Sequence, residues 1–140
     1  YYVTAVMDEG DPAAVELKGF YINLYDDRLP VIEDPLLETG SVGLWYDVSR
    51  IDKTESSDIL AIGARAERIE YGQRSLSFVS RAPSEMAVAA RIWTRRPPKS
   101  VKVTANGKTT ALSFDYEPGS ETSYFTYPSD GTPVKVKILF

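Results

Sequence analysis

Residues 95–116 read RRPPKSVKVTANGKTTALSFDY and carry the clearest structural signal in the chain. Two runs of alternating apolar and polar residues flank the pair Asn106-Gly107. Alternation with a period of two is typical of a strand with one buried face, and Asn-Gly is a preferred pair in two-residue hairpin loops. The stretch therefore predicts a β-hairpin that turns at Asn106-Gly107 and begins after Pro97-Pro98.

The same pattern of short strands and tight turns recurs along the rest of the chain. Further strands are predicted within residues 1–7, 14–25, 41–49, 59–71, 74–80, 85–94, 122–127 and 133–140. Residues 85–94 are apolar on both faces, which is typical of a central strand. Residues 59–71 predict one bent strand, and residues 36–38 a single helical turn. These features predict an all-β fold, an antiparallel β-sandwich of about nine or ten strands.

The length of 140 residues suits one domain, so a single β-sandwich domain is expected over residues 1–140. The first residue is Tyr1 rather than Met, and residues 1–3 already have strand character. No signal-peptide hydrophobic region is visible. We therefore interpret the sequence as a chain excised from a longer protein.

The composition excludes several classes of site. The chain has no histidine and no cysteine, so it cannot supply a Ser-His-Asp triad, a Cys/His zinc site, a histidine haem ligand or an iron–sulfur cluster. No cofactor is expected. A net charge of −4 argues against nucleic acid and anionic membrane as partners. No apolar run approaches the roughly 20 residues that span a bilayer.

The densest acidic cluster contains Asp8, Glu9 and Asp11. Converging carboxylates could bind calcium, because hard cations prefer several oxygen ligands. The alternative is a solvated turn whose Asp side chains accept bonds from nearby backbone N–H groups. The calcium-loop spacing D-x-[DN]-x-[DN]-G is absent, which favours the turn, so no metal site is predicted.

A second group of carboxylates lies in the long connection 26–40. Its members are Asp26, Asp27, Glu33 and Asp34. A glycosidase needs two carboxyls about 5–10 Å apart across a cleft, and this group is the only plausible supply. The alternative is ordinary surface carboxylates of an acidic protein, and this alternative is favoured.

Six aromatic residues are candidates for binding a sugar. A Tyr or Trp ring offers a flat apolar face and a polar rim, which suits stacking on a sugar ring. The alternative for each ring is packing against a neighbouring strand or in the core. The candidates are Tyr21, Tyr25, Trp45, Trp93, Tyr124 and Tyr127.

The end of the chain resembles a known family. Residues 97–103 and the turn at 106–108 are similar to a "P-x-x-V-x-V-x-G-K" phrase, with Thr104-Ala105 as extra residues before the turn. An aromatic strand and a final V-x-V-x-I strand follow. This order resembles the β-sandwich domains that follow the catalytic barrel in many glycoside hydrolases. The resemblance covers roughly the last 45 residues, and residues 1–94 resemble no family.

The resemblance implies a non-catalytic domain that packs against a catalytic domain, covers its edges or contributes a loop to its cleft. The leading expectation is therefore an accessory module of a carbohydrate-processing enzyme, with a catalytic domain of the same parent chain and carbohydrate as its partners. An independent carbohydrate-binding module is the second reading and a small carboxylate-dependent glycosidase the third. The chain by itself is expected not to be an enzyme. A secreted or periplasmic location is expected, although the absence of disulfides leaves the compartment open.

Overall fold

A computed structural model of the protein describes residues 2–6 and 14–140, and gives only the backbone of Val3, Ala5 and Val6. Its strands are β1 Tyr2–Val6, β2 Val15–Glu16, β3 Phe20–Asn23, β4 Val31–Glu33, β5 Leu36–Leu37, β6 Val42–Asp47, β7 Ser57–Ile62, β8 Arg65–Gly72, β9 Ser75–Arg81, β10 Ser84–Thr94, β11 Ser100–Ala105, β12 Lys108–Leu112, β13 Asp115–Glu117, β14 Thr122–Asp130 and β15 Val134–Leu139. One 3₁₀ turn, Val48–Arg50, follows β6, and the described residues include no α-helix. The predicted all-β class is confirmed.

The chain divides into two compact units, Tyr1–Asp52 and Lys53–Phe140. In the first unit, one antiparallel sheet has the strand order β1-β6-β3-β4, and β2 pairs with β5. A small hydrophobic cluster stabilises this unit; it contains Tyr21, Leu37 and Trp45, with Leu17 and Ile32 against it. The single domain predicted over residues 1–140 stays a prediction.

The second unit is an antiparallel β-sandwich of nine strands. Its four-stranded sheet has the order β13-β14-β10-β7, and its five-stranded sheet the order β12-β11-β15-β9-β8. Side chains from both sheets form one hydrophobic core. The buried members of that core are Leu76, Phe78, Val88, Ala90, Ile92, Val101, Val103, Phe125, Tyr127, Val134, Val136, Ile138 and Phe140.

The predicted hairpin is present. Strands β11 and β12 pair from Val101 with Leu112 to Ala105 with Lys108. Asn106 has φ +49° and Gly107 φ +75°, so both turn residues are left-handed, as a type I′ turn requires. This turn twists in the same sense as its strands, which is why the sequence signal was reliable.

Strand β10 is central, as its apolar faces predicted. It pairs with β14 on one side and with β7 on the other. Val88, Ala90 and Ile92 face the core. Because successive side chains alternate, Arg91 and Trp93 lie on the opposite face of the sheet.

One buried hydrogen bond links the two sheets through the core. The Tyr127 hydroxyl on β14 donates to Ser80 Oγ on β9 over 2.7 Å. The paired hydroxyls avoid the cost of a buried polar group without a partner. The bond also fixes where β14 lies against β9.

Two local predictions were wrong. Residues 59–71 form two strands of different sheets, β7 and β8, rather than one bent strand; the chain leaves β7 where Gly63 N–H donates to the Ala89 carbonyl. The helical turn predicted at 36–38 is instead the short strand β5, paired with β2. The described residues hold fifteen strands, nine of them in the sandwich of the second unit; several of the others are segments of two or three residues that look like loops in the sequence.

Strand β8 is the last strand on one side of the five-stranded sheet, and it is irregular. Its pairing with β9 shifts register between Glu67 and Glu70, and Arg68 adopts φ +51°. This irregularity is a β-bulge, which bends the strand locally.

In the part of the chain that the structure describes, no helix has the length and apolarity needed to cross a membrane.

Candidate functional site on the outer face of the four-stranded sheet

The predicted sugar-binding rings of the first unit differ in exposure. Tyr21 and Trp45 are buried together with Leu37. The Tyr21 hydroxyl donates to the Lys18 carbonyl, and burial raises the pKa of Tyr21. Tyr25 is 63% exposed and offers its ring to solvent.

The other three predicted rings lie in the sandwich. Tyr127 is part of the core, and Trp93 is only 1% exposed. Tyr124 is partly exposed on the face of β14 opposite the core. Four of the six candidate rings are therefore buried and present no open face to a sugar in this structure.

A cluster of polar and aromatic side chains lies around Tyr124. We call it the outer-face cluster. Strand pairing brings its members together, because Arg91 on β10 lies opposite Tyr124, Trp93 lies opposite Thr122, and Thr122 lies opposite Glu117 on β13. Its members are Arg91, Trp93, Glu117, Thr122 and Tyr124, together with Glu121, which is hydrogen-bonded to Trp93, and Lys53, which is bonded to Glu121.

Arg91 is the centre of this cluster and is only 3% exposed. Its Nη1 donates to Glu117 Oε1 over 2.9 Å and to Thr122 Oγ1 over 3.4 Å. Its guanidinium also lies 5.2 Å from the centre of the Tyr124 ring, a cation–π arrangement. A buried guanidinium needs such partners, because an unpaired buried charge is strongly destabilising.

A second set of bonds surrounds Trp93. Its indole Nε1 donates to Glu121 Oε2 over 3.1 Å, and Lys53 Nζ lies 2.7 Å from the same oxygen. Lys53 Nζ also lies 5.5 Å from the centre of the indole ring. The hydrogen bonds from Lys53 and Trp93 lower the pKa of Glu121, so this carboxylate stays ionised.

The outer-face cluster offers the kinds of groups with which proteins recognise polar ligands. The Glu117 side chain is 44% exposed beside the partly exposed Tyr124 ring, so a carboxylate acceptor and an aromatic face adjoin at the surface. Glu121 has the wrong direction of pKa shift for a general acid, which needs a raised pKa. A hydroxyl-rich ligand would suit this combination.

Arg91, Glu117 and Glu121 were not among the site residues predicted from the sequence. One signal was available: Arg91 is the one charged residue in the stretch 86–93, MAVAARIW, of strand β10. A charge inside such a strand indicates an ionic or hydrogen-bonding partner. The sequence gives no sign that the partner is Glu117, which is 26 positions away.

Two of the four candidate carboxylates of the 26–40 connection have local structural roles. Asp34 Oδ1 accepts a bond from Gly19 N–H over 2.7 Å, and this bond lowers the pKa of Asp34. Asp26 Oδ1 accepts from Arg28 N–H over 2.8 Å. Asp27 and Glu33 are exposed. The glycosidase reading of these residues stays a prediction, and the shift of Asp34 is opposite to that of a general acid.

One carboxyl group that the sequence did not single out has a raised pKa. Burial raises the pKa of Asp58 on β7, and the Tyr71 hydroxyl on β8 donates to Asp58 Oδ1 over 3.5 Å. The pair joins an edge strand of each sheet in the sandwich.

The weak calcium candidates Asp8, Glu9 and Asp11 lie outside the described residues. Within residues 2–6 and 14–140, no group of three or more His, Cys, Asp and Glu side chains could hold a metal ion.

Comparison of the chain with models of known protein families, with curated proteins and with solved structures found no match.

Proposed function

We propose that this chain is a non-catalytic β-sandwich module that serves as an accessory domain of a carbohydrate-processing enzyme. The arrangement of the segments with the family resemblance carries this proposal. Strands β12, β11 and β15 are adjacent in one sheet, and Val101 and Val103 of the first phrase pair with Ile138 and Val136 of the last. The two phrases therefore form a continuous apolar layer on one side of the core.

This layer supports a scaffold role for the segments that form it. Its apolar side chains pack in the core of the sandwich. Lys102, Lys135 and Lys137 alternate with them along the strands and face the solvent. A module of this kind contributes by position and surface contact. The outer-face cluster lies on the β13-β14-β10-β7 sheet of the same unit. It would then be a surface that contacts glycan or the neighbouring catalytic domain.

The parent gene provides the first test. We expect the region before Tyr1 to encode a large catalytic domain. A gene in which only a signal peptide precedes Tyr1 would contradict the accessory role.

The second test uses the purified proteins. We expect no hydrolysis of chromogenic glycosides or polysaccharides by the 140-residue chain alone. Deleting these residues from the parent enzyme should lower its melting temperature or its activity on a polymer. Turnover by the isolated chain at a rate proportional to its concentration would refute the proposal.

A second candidate function is an independent carbohydrate-binding module. The partly exposed Tyr124 ring beside the Glu117 carboxylate favours it, because stacking and hydroxyl recognition would occur at the same place. We expect Tyr124→Ala to abolish retardation in affinity gels that contain the bound polysaccharide. The matched control is Tyr25→Ala, which removes an exposed ring from the first unit. Equal binding by the wild-type chain and the Tyr124 variant would exclude this surface.

A further inference from the structure

A pocket of about 270 Å³ lies within the second unit and is lined by basic side chains. The segments that form it are the start of β7, the β8–β9 turn, the end of β10 and the end of β15. Its lining residues are Ser56, Gln73, Arg74, Arg95, Arg96 and Phe140. We call it the arginine pocket. Three of its six lining residues have cationic side chains and none has an acidic side chain, although the whole chain has a net charge of −4.

Arg95 is held in place by backbone carbonyl groups. Its Nη2 donates to the Lys53 carbonyl over 2.6 Å and to the Glu55 carbonyl over 3.4 Å. Its own backbone N–H donates to the Ser56 carbonyl over 3.0 Å. A guanidinium has five N–H donors, and both side-chain bonds use Nη2, so the donors on Nε and Nη1 are left for a ligand.

Arg74 and Arg96 are the other two cations of the pocket. Both side chains are exposed, and neither has a hydrogen bond or an ion pair to any residue that the structure describes. The nearby carboxylate of Glu121 already accepts bonds from Lys53 and Trp93, and it does not line the pocket. Three guanidinium groups around one cavity repel each other unless an anion lies between them.

The rest of the lining gives the pocket a rigid frame and an apolar wall. Phe140 is 5% exposed, and its backbone N–H donates to the Arg74 carbonyl over 3.1 Å. Ser56 Oγ donates to the Gly72 carbonyl over 3.1 Å, which leaves only its lone pairs for a ligand. The volume is near the lower limit of small-molecule sites, about 300 Å³. It suits a single oxyanion group attached to a small body.

We propose that the arginine pocket binds an oxyanion, namely a carboxylate, sulfate or phosphate group, between Arg95 and the pair Arg74 and Arg96. Guanidinium groups match such anions because two parallel N–H donors meet two oxygens. Phe140 supplies the apolar surface for the body that carries the anionic group. This inference does not depend on the accessory role proposed above.

The experiment titrates the intact chain with sodium sulfate, inorganic phosphate, glucuronate and glucose, with sodium chloride added to hold the ionic strength constant. Thermal melting and the amide NMR spectrum are followed. The test variant is Arg74→Gln with Arg96→Gln. The matched control is Lys102→Gln with Lys137→Gln, which makes the same change in charge on the outer face of the five-stranded sheet, where Lys102, Lys135 and Lys137 line another cavity.

We expect the three anions, but not glucose, to raise the melting temperature and to shift the amide signals of Ser56, Gln73 and Arg95. The arginine variant should melt at or slightly above the wild-type temperature without ligand, since both side chains are exposed and their mutual repulsion is removed. Its affinity for the anions should fall by about tenfold or more. The lysine variant should bind within about twofold of wild type. If glucuronate binds more tightly than sulfate, the natural ligand is an organic acid. If sulfate binds more tightly, the natural ligand is a free inorganic anion.

Three results would overturn the proposal: no saturable shift of the pocket amides with any anion, unchanged affinity in the arginine variant, or a larger loss in the lysine variant than in the arginine variant. The last result would place anion binding on the lysine face instead.

Discussion

Among single residues, Tyr127 makes the contact with the clearest effect on stability, its hydrogen bond to Ser80. Tyr127→Phe removes the hydroxyl that donates to Ser80 Oγ in the core and leaves that buried Ser80 group without its partner. We expect the free energy of unfolding to fall by about 1–2 kcal/mol. Urea unfolding followed by fluorescence measures the change.

The controls use the same chemistry at other positions. Tyr124→Phe removes a hydroxyl from a partly exposed ring and should cost much less. Adding Ser80→Ala to Tyr127→Phe removes both polar partners, so part of the lost stability should return. A double variant less stable than Tyr127→Phe would show that the hydrogen bond is not the cause.

Asp58 gives a prediction about pH. Burial raises its pKa in the folded state, so folding favours the neutral carboxyl. That contribution to stability is fully present below the unfolded pKa, about 3.9, and is lost as the pH rises through the raised folded pKa. Asp58→Asn mimics the neutral form and can still accept the Tyr71 hydrogen bond. We expect the variant to be more stable than wild type at pH 7.

Stability curves at pH 3 and pH 7 test this expectation. The advantage of Asp58→Asn should shrink toward zero at pH 3, where the wild-type carboxyl is protonated in both states. Asp27→Asn, at an exposed aspartate, serves as the control. An advantage for Asp58→Asn that is equally large at both pH values would show that charge at this position is irrelevant.

At the scale of single residues, the sequence predicted which way side chains point better than it predicted which side chains they contact. The alternation Val134, Lys135, Val136, Lys137 correctly placed the valines inside and the lysines outside. It could not predict the pairing of Arg91 with Glu117, because that contact depends on β14 lying between β10 and β13. The sequence also could not separate the buried Trp93 from the exposed Tyr25, since both lie in alternating segments.

The hairpin β11–β12 carries the prediction at the scale of an element. Gly107 has φ +75°, and no atom beyond its chain neighbours lies within 4 Å of a Cβ built on it. Gly107→Val would therefore cost only backbone strain, about 1–2 kcal/mol. Thermal or urea unfolding measures the loss, and anion binding at the arginine pocket should not change.

Asparagine is the matched substitution at this turn, because its short polar side chain tolerates left-handed backbone better than valine does. Gly107→Asn should therefore keep most of the stability. Equal losses in both variants would indicate a steric cause, contrary to the open space around Gly107. A folded Gly107→Val protein that no longer binds anion would also contradict the scaffold role of this turn.

The elements predicted from sequence were those specified by local chemistry. The Asn106-Gly107 turn needs no distant partner to form. Strands β2 and β5 were missed because two-residue strands exist only through their pairing with each other. The break between β7 and β8 was missed because it is set by the contact of Gly63 with Ala89, a residue far along the chain.

At the scale of the whole molecule, we expect the unit Lys53–Phe140 to fold alone. It contains two sheets and the complete large core, which has the size and continuity of a small domain. A fragment of these residues should give a dispersed amide spectrum and a cooperative unfolding transition. The full-length chain, measured in the same buffer, is the reference. A fragment without cooperative unfolding would favour the single domain predicted from the sequence.

The fold class was predictable at this scale because turn signals recur at short intervals throughout the chain. The grouping into two units was not, since composition and strand pattern do not change near residue 52. Which side chains pack together depends on tertiary pairing, and no local signal encodes it.

The bulge in β8 has a consequence for behaviour in concentrated solution. An outermost strand presents unpaired N–H and C=O groups, which can recruit a strand from another molecule and start fibril growth. In β8 the register shift between Glu67 and Glu70 breaks the regular spacing of those groups, and the ion pairs of Glu67 with Arg65 and Arg81 add charge there. A strand from another molecule would therefore have to pair with an irregular and charged edge strand. We therefore expect this edge of the sheet to resist pairing with a strand of another molecule.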